Sequence, residues 1–94
     1  MNTDDIKIGQ IVISKSGRDK GERFLVMRIE DEYLYLADGK LRPLEKPKKK
    51  KRMHVAKTNM IAGEIAEKLA FGARMTNSDL KKALKLEVNQ DNVR

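Results

Sequence analysis

Up to about Thr58 the apolar residues come in short runs and alternations. After it they recur at helical spacing. Ile6 to Gly9 read as a short lead-in turn, with Ile8 reaching the core. Ile11-Val12-Ile13 predicts a first strand over about Gln10 to Lys15, with Ile11 and Ile13 sharing the inward face because successive strand residues alternate sides. A second strand is expected over Arg23 to Glu30. Its Leu25, Met27 and Ile29 line one face, and Phe24 and Val26 line the other beside Arg28. Apolar character on both faces fits a strand wound into a barrel, or one covered by a helix. Glu30-Asp31-Glu32 is a polar turn, and Tyr33-Leu34-Tyr35-Leu36 is a third strand with its leucines inward. Asp38-Gly39 predicts a hairpin turn, since both positions tolerate positive φ. A short fourth strand, Lys40 to Arg42, ends at Pro43, which cannot donate to a ladder. The fifth strand is placed at about Met53 to Lys57, with Met53 and Val55 inward. Five short strands joined by tight turns within about fifty residues predict a small barrel.

Past Thr58, Ile61, Ile65 and Leu69 make one stripe of a helix expected from Met60 to Phe71, capped by Asn59 and stopped by Gly72. Glu64 and Lys68 are spaced to support that helix as an i, i+4 pair. Thr76-Asn77-Ser78-Asp79 carries the signature of a capping box. It opens a second helix over about Ser78 to Glu87, striped by Leu80, Ala83, Leu84 and Val88. The expected organisation is a flexible leader at 1–5, the barrel at 6–58, a helical pair at 59–88 and a disordered tail at 89–94. The fold class is mainly β with C-terminal α.

Between the first two strands stands Gly17-Arg18-Asp19-Lys20-Gly21. Two glycines let the backbone turn sharply and approach a partner closely. Arg18 and Lys20 then stand at a loop tip held by a sheet, flanked by Lys15 and Arg23, where they can meet phosphate. Asp19 reads as a turn residue whose carboxylate accepts from a nearby backbone N–H. This strand–loop–strand resembles the KOW motif, with Gly21 on its hallmark glycine. From about Ile8 to Thr58 the chain resembles the KOW domains of certain archaeal and eukaryotic large-subunit ribosomal proteins. As a whole it is similar to small bacterial KOW-domain RNA-binding proteins. The resemblance implies an SH3-like barrel that binds ribosomal or other structured RNA. It names no particular RNA.

Charge points the same way. Of the 94 residues, 21 are Lys or Arg and 14 are Asp or Glu, a formal net charge of +7. Such a balance favours an anionic partner through attraction and counterion release. Nucleic acid is the commonest such partner and an anionic membrane surface is the rival. No apolar run approaches the length of a membrane span, and the start, Met1-Asn2-Thr3-Asp4-Asp5, is unlike a signal peptide. The expectation is a soluble, cytoplasmic monomer. Without cysteine, disulfides, thiolate chemistry and cysteine-based metal sites are excluded.

A second cationic candidate is Lys46, Lys48, Lys49, Lys50, Lys51 and Arg52, read with Glu45 and Pro47 as a solvated loop because like charges repel and no apolar face is present. It lies next to the Arg18 loop if both leave the same end of the barrel. His54, the one histidine, adjoins this run and can contact a base or phosphate; alone it makes no metal site. Tyr33 and Tyr35 either stack on bases or pack beneath the helices. No nucleophile elbow or P-loop is present, so neither a catalytic residue nor a cofactor is expected. The leading expectation is a non-enzymatic RNA-binding protein associated with the ribosome, touching ribosomal RNA and in some settings a ribosomal protein. A protein-interaction module contacting ribosomal or transcription proteins is the alternative, and duplex-DNA binding a third reading.

Overall fold

The structure is a computed structural model that describes the backbone of residues 6–92 and the side chains of residues 6–85. Five strands form one antiparallel sheet: β1 (Gln10–Ser14), β2 (Arg23–Glu30), β3 (Tyr33–Ala37), β4 (Lys48–Lys51) and β5 (Val55–Ile61), in the order β4-β3-β2-β1-β5. Two helices follow, α1 (Gly63–Phe71) and α2 (Asn77–Asn92). The expected leader at 1–5 lies outside the described residues. So do positions 93 and 94 of the expected tail, whereas residues 89–92 continue α2.

The sheet cannot be flat. β4 and β5 are its two edges, yet Lys51 and Val55 are joined only by the 3₁₀ turn Arg52–His54. Four residue steps reach at most about 14 Å. The edges of a flat five-stranded sheet lie about 19 Å apart. The sheet therefore curls, and the turn is tied to strand ends on both sides. The Arg52 N–H donates to the Glu32 carbonyl (2.9 Å), and the Lys15 N–H donates to the His54 carbonyl (2.8 Å).

Curling gives the sheet a concave and a convex face, and both are apolar. Ile6, Val12, Phe24, Val26, Leu34, Leu36 and Val55 fill one cluster. Ile11, Leu25 and Ala37 meet Ala62 and Ile65 of the α1 segment and Leu80 of α2 in the other. The mixed pattern of β2 thus has a cause on each face: one side joins the cluster within the curled sheet, and helices cover the other. A bulge completes the arrangement. Val26 faces Leu36 and Arg28 faces Tyr35, so Met27 is the extra residue. The slip moves Ile29 from the face of Leu25 to that of Leu34, and Ile29 packs on the first cluster.

Several expectations are corrected. In β1 it is Val12 that enters the inner cluster, while Ile11 lies under the helices and Ile13 is half-exposed. Lys40 to Arg42 is a turn, not a strand, because the Asp38 carboxylate accepts from the Lys40 and Arg42 N–H groups, both at 2.8 Å. The fourth strand is the lysine run itself. Met53 stands in the 3₁₀ turn, 68% exposed. Residues 59–61 belong to β5 rather than to α1 and its cap, since β5 pairs with β1 as far as Gln10–Ile61. Gly72 does stop α1, with φ +66°. Lys68 turns to Asp79 of α2 (3.5 Å). The capping box at α2 is present: the Thr76 N–H donates to Asp79 Oδ2 (2.9 Å) and the Asp79 N–H to Thr76 Oγ1 (3.3 Å). Gly39, at φ +78°, is where α2 docks on the β3–β4 connection; a Cβ there would fall on the Asn77 carbonyl oxygen.

Candidate nucleic-acid interface

The loop between β1 and β2 is a compact hydrogen-bonded turn. The Ser14 N–H donates to the Glu22 carbonyl (3.0 Å), Gly21 to Ser14 (2.8 Å), Lys20 to Gly17 (3.2 Å) and Glu22 to Asp19 (2.9 Å). Gly17 and Gly21 have φ of +85° and +89°, the conformations for which glycine is suited. Arg18 and Lys20 project from this turn and are exposed, as are Lys15 and Arg23 at its base. Among the described residues, neither Arg18 nor Lys20 joins an ion pair.

β4 is Lys48-Lys49-Lys50-Lys51. Four lysines form a strand because β3 supplies a ladder and the pleat separates their side chains. Leu36 faces Lys48, Tyr35 faces Lys49, Leu34 faces Lys50 and Tyr33 faces Lys51. The even-numbered pair therefore points to the inner face, where their aliphatic stems extend the leucine cluster. The odd-numbered pair points outward onto the tyrosines. The Lys49 ammonium lies 4.6 Å from the Tyr33 ring centre and 6.0 Å from that of Tyr35, and the Arg28 guanidinium lies 5.0 Å from Tyr35. The tyrosines are half-exposed beside cations and do not pack under the helices. The Tyr35 hydroxyl donates to Glu30 (2.9 Å). That bond, followed by the Arg28 charge, holds the Glu30 carboxyl below its usual range.

Loop and strand meet at Asp19. Its Oδ1 accepts from the Ser14 hydroxyl (2.7 Å) and lies 3.3 Å from the Lys50 ammonium, while Oδ2 lies 2.9 Å from that of Lys48. Lys50 also donates to the Ser16 carbonyl (2.9 Å). The Lys50 side chain is only 9% exposed and that of Asp19 11%. Burial alone would raise the Asp19 pKa. Hydrogen bonds from Ser14, Lys48 and Lys50 outweigh it and hold the carboxyl well below the ordinary range. Asp19 is thus more than a turn residue: it is the junction between the two cationic segments. The one sequence signal for it was an acid in the middle of an otherwise basic loop.

The structure therefore brings the two predicted cationic segments side by side and divides their residues. Lys15, Arg18, Lys20, Arg23, Lys46 and Lys49 are exposed, and Lys51 is half-buried. Lys48 and Lys50 are committed to Asp19. Arg52 and His54 sit half-buried in the 3₁₀ turn. The expected solvated loop at 45–52 is corrected for Lys48 to Lys51, which are strand, and Arg52, which begins the turn. Two further cations, missed in the sequence, join this surface from the β3–β4 connection. Lys40 lines a cleft of about 290 Å³ with Arg23 and Lys81 of α2. Arg42 lines another, of about 250 Å³, with Arg18 and Lys48. No protein-family model and no curated protein matches the chain. Among the described residues no helix is long and apolar enough to cross a membrane, and no three potential metal-ligating side chains gather.

Proposed function

We propose that this chain is a non-enzymatic RNA-binding protein of the KOW type, associated with the ribosome in the cytoplasm. The curled sheet is read as an SH3-like barrel. Supporting that reading are the strand order β4-β3-β2-β1-β5 and the three-residue link between the two edge strands. The first loop and β4 grip the RNA backbone, with Arg18 and Lys20 as the foremost contacts, Lys15, Arg23 and Lys46 as further exposed cations, and Lys49 and Lys51 presented from the outward face of β4. The observation that carries the proposal is the Asp19 junction. It uses a carboxylate to hold Lys48 and Lys50 against the loop, and leaves the outer cations available to a polyanion. Lysines and arginines so placed bind phosphate with affinity but little sequence discrimination. Ribosomal RNA is the favoured partner on the resemblance of Gly17 to Gly21 and the flanking strands to ribosomal KOW domains.

Titration of a structured ribosomal RNA fragment across a salt series is the test. Affinity should fall steeply with salt, in proportion to the phosphates neutralised. Arg18→Glu with Lys20→Glu should weaken binding at least about tenfold and flatten the salt slope. The melting temperature should stay near wild type, because neither side chain is packed. Unchanged affinity in that double variant removes the loop from the interface. Duplex DNA outcompeting folded RNA at matched salt reverses the choice of partner.

A further inference from the structure

Next to the Asp19 junction, the cleft of about 250 Å³ mixes three kinds of group. Arg18 from the first loop and Arg42 from the β3–β4 connection supply positive charge, while Lys48 and Asp19, also in the lining, are paired with each other. Glu22 supplies acceptors. Leu41 supplies exposed apolar surface, above a floor that reaches the fully buried Phe24. Leu41 is 64% exposed, yet the turn that carries it is tightly tied. Besides the two bonds to the Asp38 carboxylate, the Arg42 carbonyl accepts from Asp38 (2.9 Å) and Gly39 (3.1 Å). Three residues on, the Leu44 N–H donates to the Asn77 side chain at the start of α2 (2.6 Å). A leucine held in water between two cations by an ordered turn is preorganised: an apolar face arriving there buries it at little further loss of freedom.

These are the complements of one unpaired nucleotide, which has a charged phosphate, a flat apolar base face and a base edge with N–H donors. The size agrees. The cleft is smaller than the roughly 300–1,000 Å³ that encloses a whole drug-sized ligand, and it suits one base better than a stacked run. We propose that this cleft receives a single unpaired nucleotide of the bound RNA. Its base lies on Leu41, its phosphate lies between Arg18 and Arg42, and Glu22 accepts from the base edge. The inference rests on the RNA-binding reading and sharpens it, from backbone contact alone to a preference for RNA with unpaired positions.

The test compares two labelled probes by fluorescence anisotropy at one salt concentration. One is an RNA hairpin with an unpaired loop, and the other is a fully paired RNA duplex with the same number of phosphates. Wild type should bind the hairpin about tenfold more tightly. Leu41→Ala should bring hairpin affinity down to near the duplex value and leave duplex affinity and melting temperature unchanged. Arg42→Gln should weaken the hairpin more than the duplex. Equal affinity of wild type for both probes, or no effect of Leu41→Ala on the hairpin, overturns the nucleotide site and leaves backbone binding standing. Failure to bind either probe at low salt overturns both readings.

Discussion

Replacing Asp19 by Asn should destabilise the fold substantially. Asparagine keeps the volume and one acceptor but removes the charge, and it presents an amide NH2 to a site built around two ammonium groups. The Lys50 side chain, 9% exposed, would lose its counter-charge and keep only neutral acceptors, the Ser16 carbonyl and the asparagine carbonyl oxygen. Lys48, 25% exposed, retains partial hydration and loses less. Removing one partner of a buried ion pair costs about 3–5 kcal/mol, and the hydration of Lys48 places this case at the lower end, about 3 kcal/mol. For a domain of this size each kcal/mol shifts the melting temperature by about 4–8 °C, so a fall of about 12–24 °C is expected. Circular dichroism melts at pH 7 measure it. Adding Lys50→Met to Asp19→Asn should recover much of the loss, because the stranded ammonium is gone and the stem still covers the leucines. A fall under about 3 °C for Asp19→Asn, or no recovery in the double variant, would refute the junction as a stabilising ion pair.

Other outcomes follow from the same geometry. The Asp19 carboxyl is depressed in the folded state, so its stabilisation is complete above the unfolded pKa near 3.9 and is lost as pH falls from there toward the folded value. The melting gap between wild type and Asp19→Asn should be constant from about pH 7 to 5 and shrink below about pH 4; a gap that instead shrinks on the alkaline side of pH 5 contradicts the sign. Lys50→Ala should cost about 2–4 kcal/mol, whereas Lys51→Ala should cost under about 1 kcal/mol and act mainly on RNA affinity. Equal melting temperatures for the two would deny the alternation along β4. Gly39→Ala forces a Cβ onto the Asn77 carbonyl oxygen and to 3.1 Å from the Leu80 Cβ at a positive φ. It should lower stability by at least about 2 kcal/mol in chemical denaturation, and a wild-type midpoint would mean that α2 is not seated there.

What was legible in the chain was whatever had a period or a turn residue to mark it. The alternation of Tyr33 to Leu36 placed β3 and its inward leucines, Gly17 and Gly21 marked the loop, and Thr76 with Asp79 marked the start of α2. Lys48 to Lys51 was illegible because four identical residues have no alternation to read. Their division into a buried and an outward pair is imposed by β3, which alternates leucine and tyrosine opposite them. Repulsion among like charges argued for a loop; Asp19, some thirty residues earlier, relieves it, and such a long-range pairing has no local signature. The bulge at Met27 was hidden for a related reason, since an extra residue is visible only against the partner strand. Asn59 to Ile61 fit the cap and first turn of a helix locally but are claimed by pairing with β1, a tertiary override of propensity. Arg42 and Leu41 carry no local signal, because a turn held by the Asp38 side chain has the same sequence pattern as a short strand.

Ultraviolet crosslinking in living cells tests the central claim most directly, with the bound RNA sequenced and the crosslinked peptides identified by mass spectrometry. The account predicts enrichment of ribosomal RNA, with adducts on the peptides that span residues 15–24 and 40–54. Adducts confined to α1 and α2, or recovery of proteins with no RNA after nuclease and high-salt washing, would contradict it.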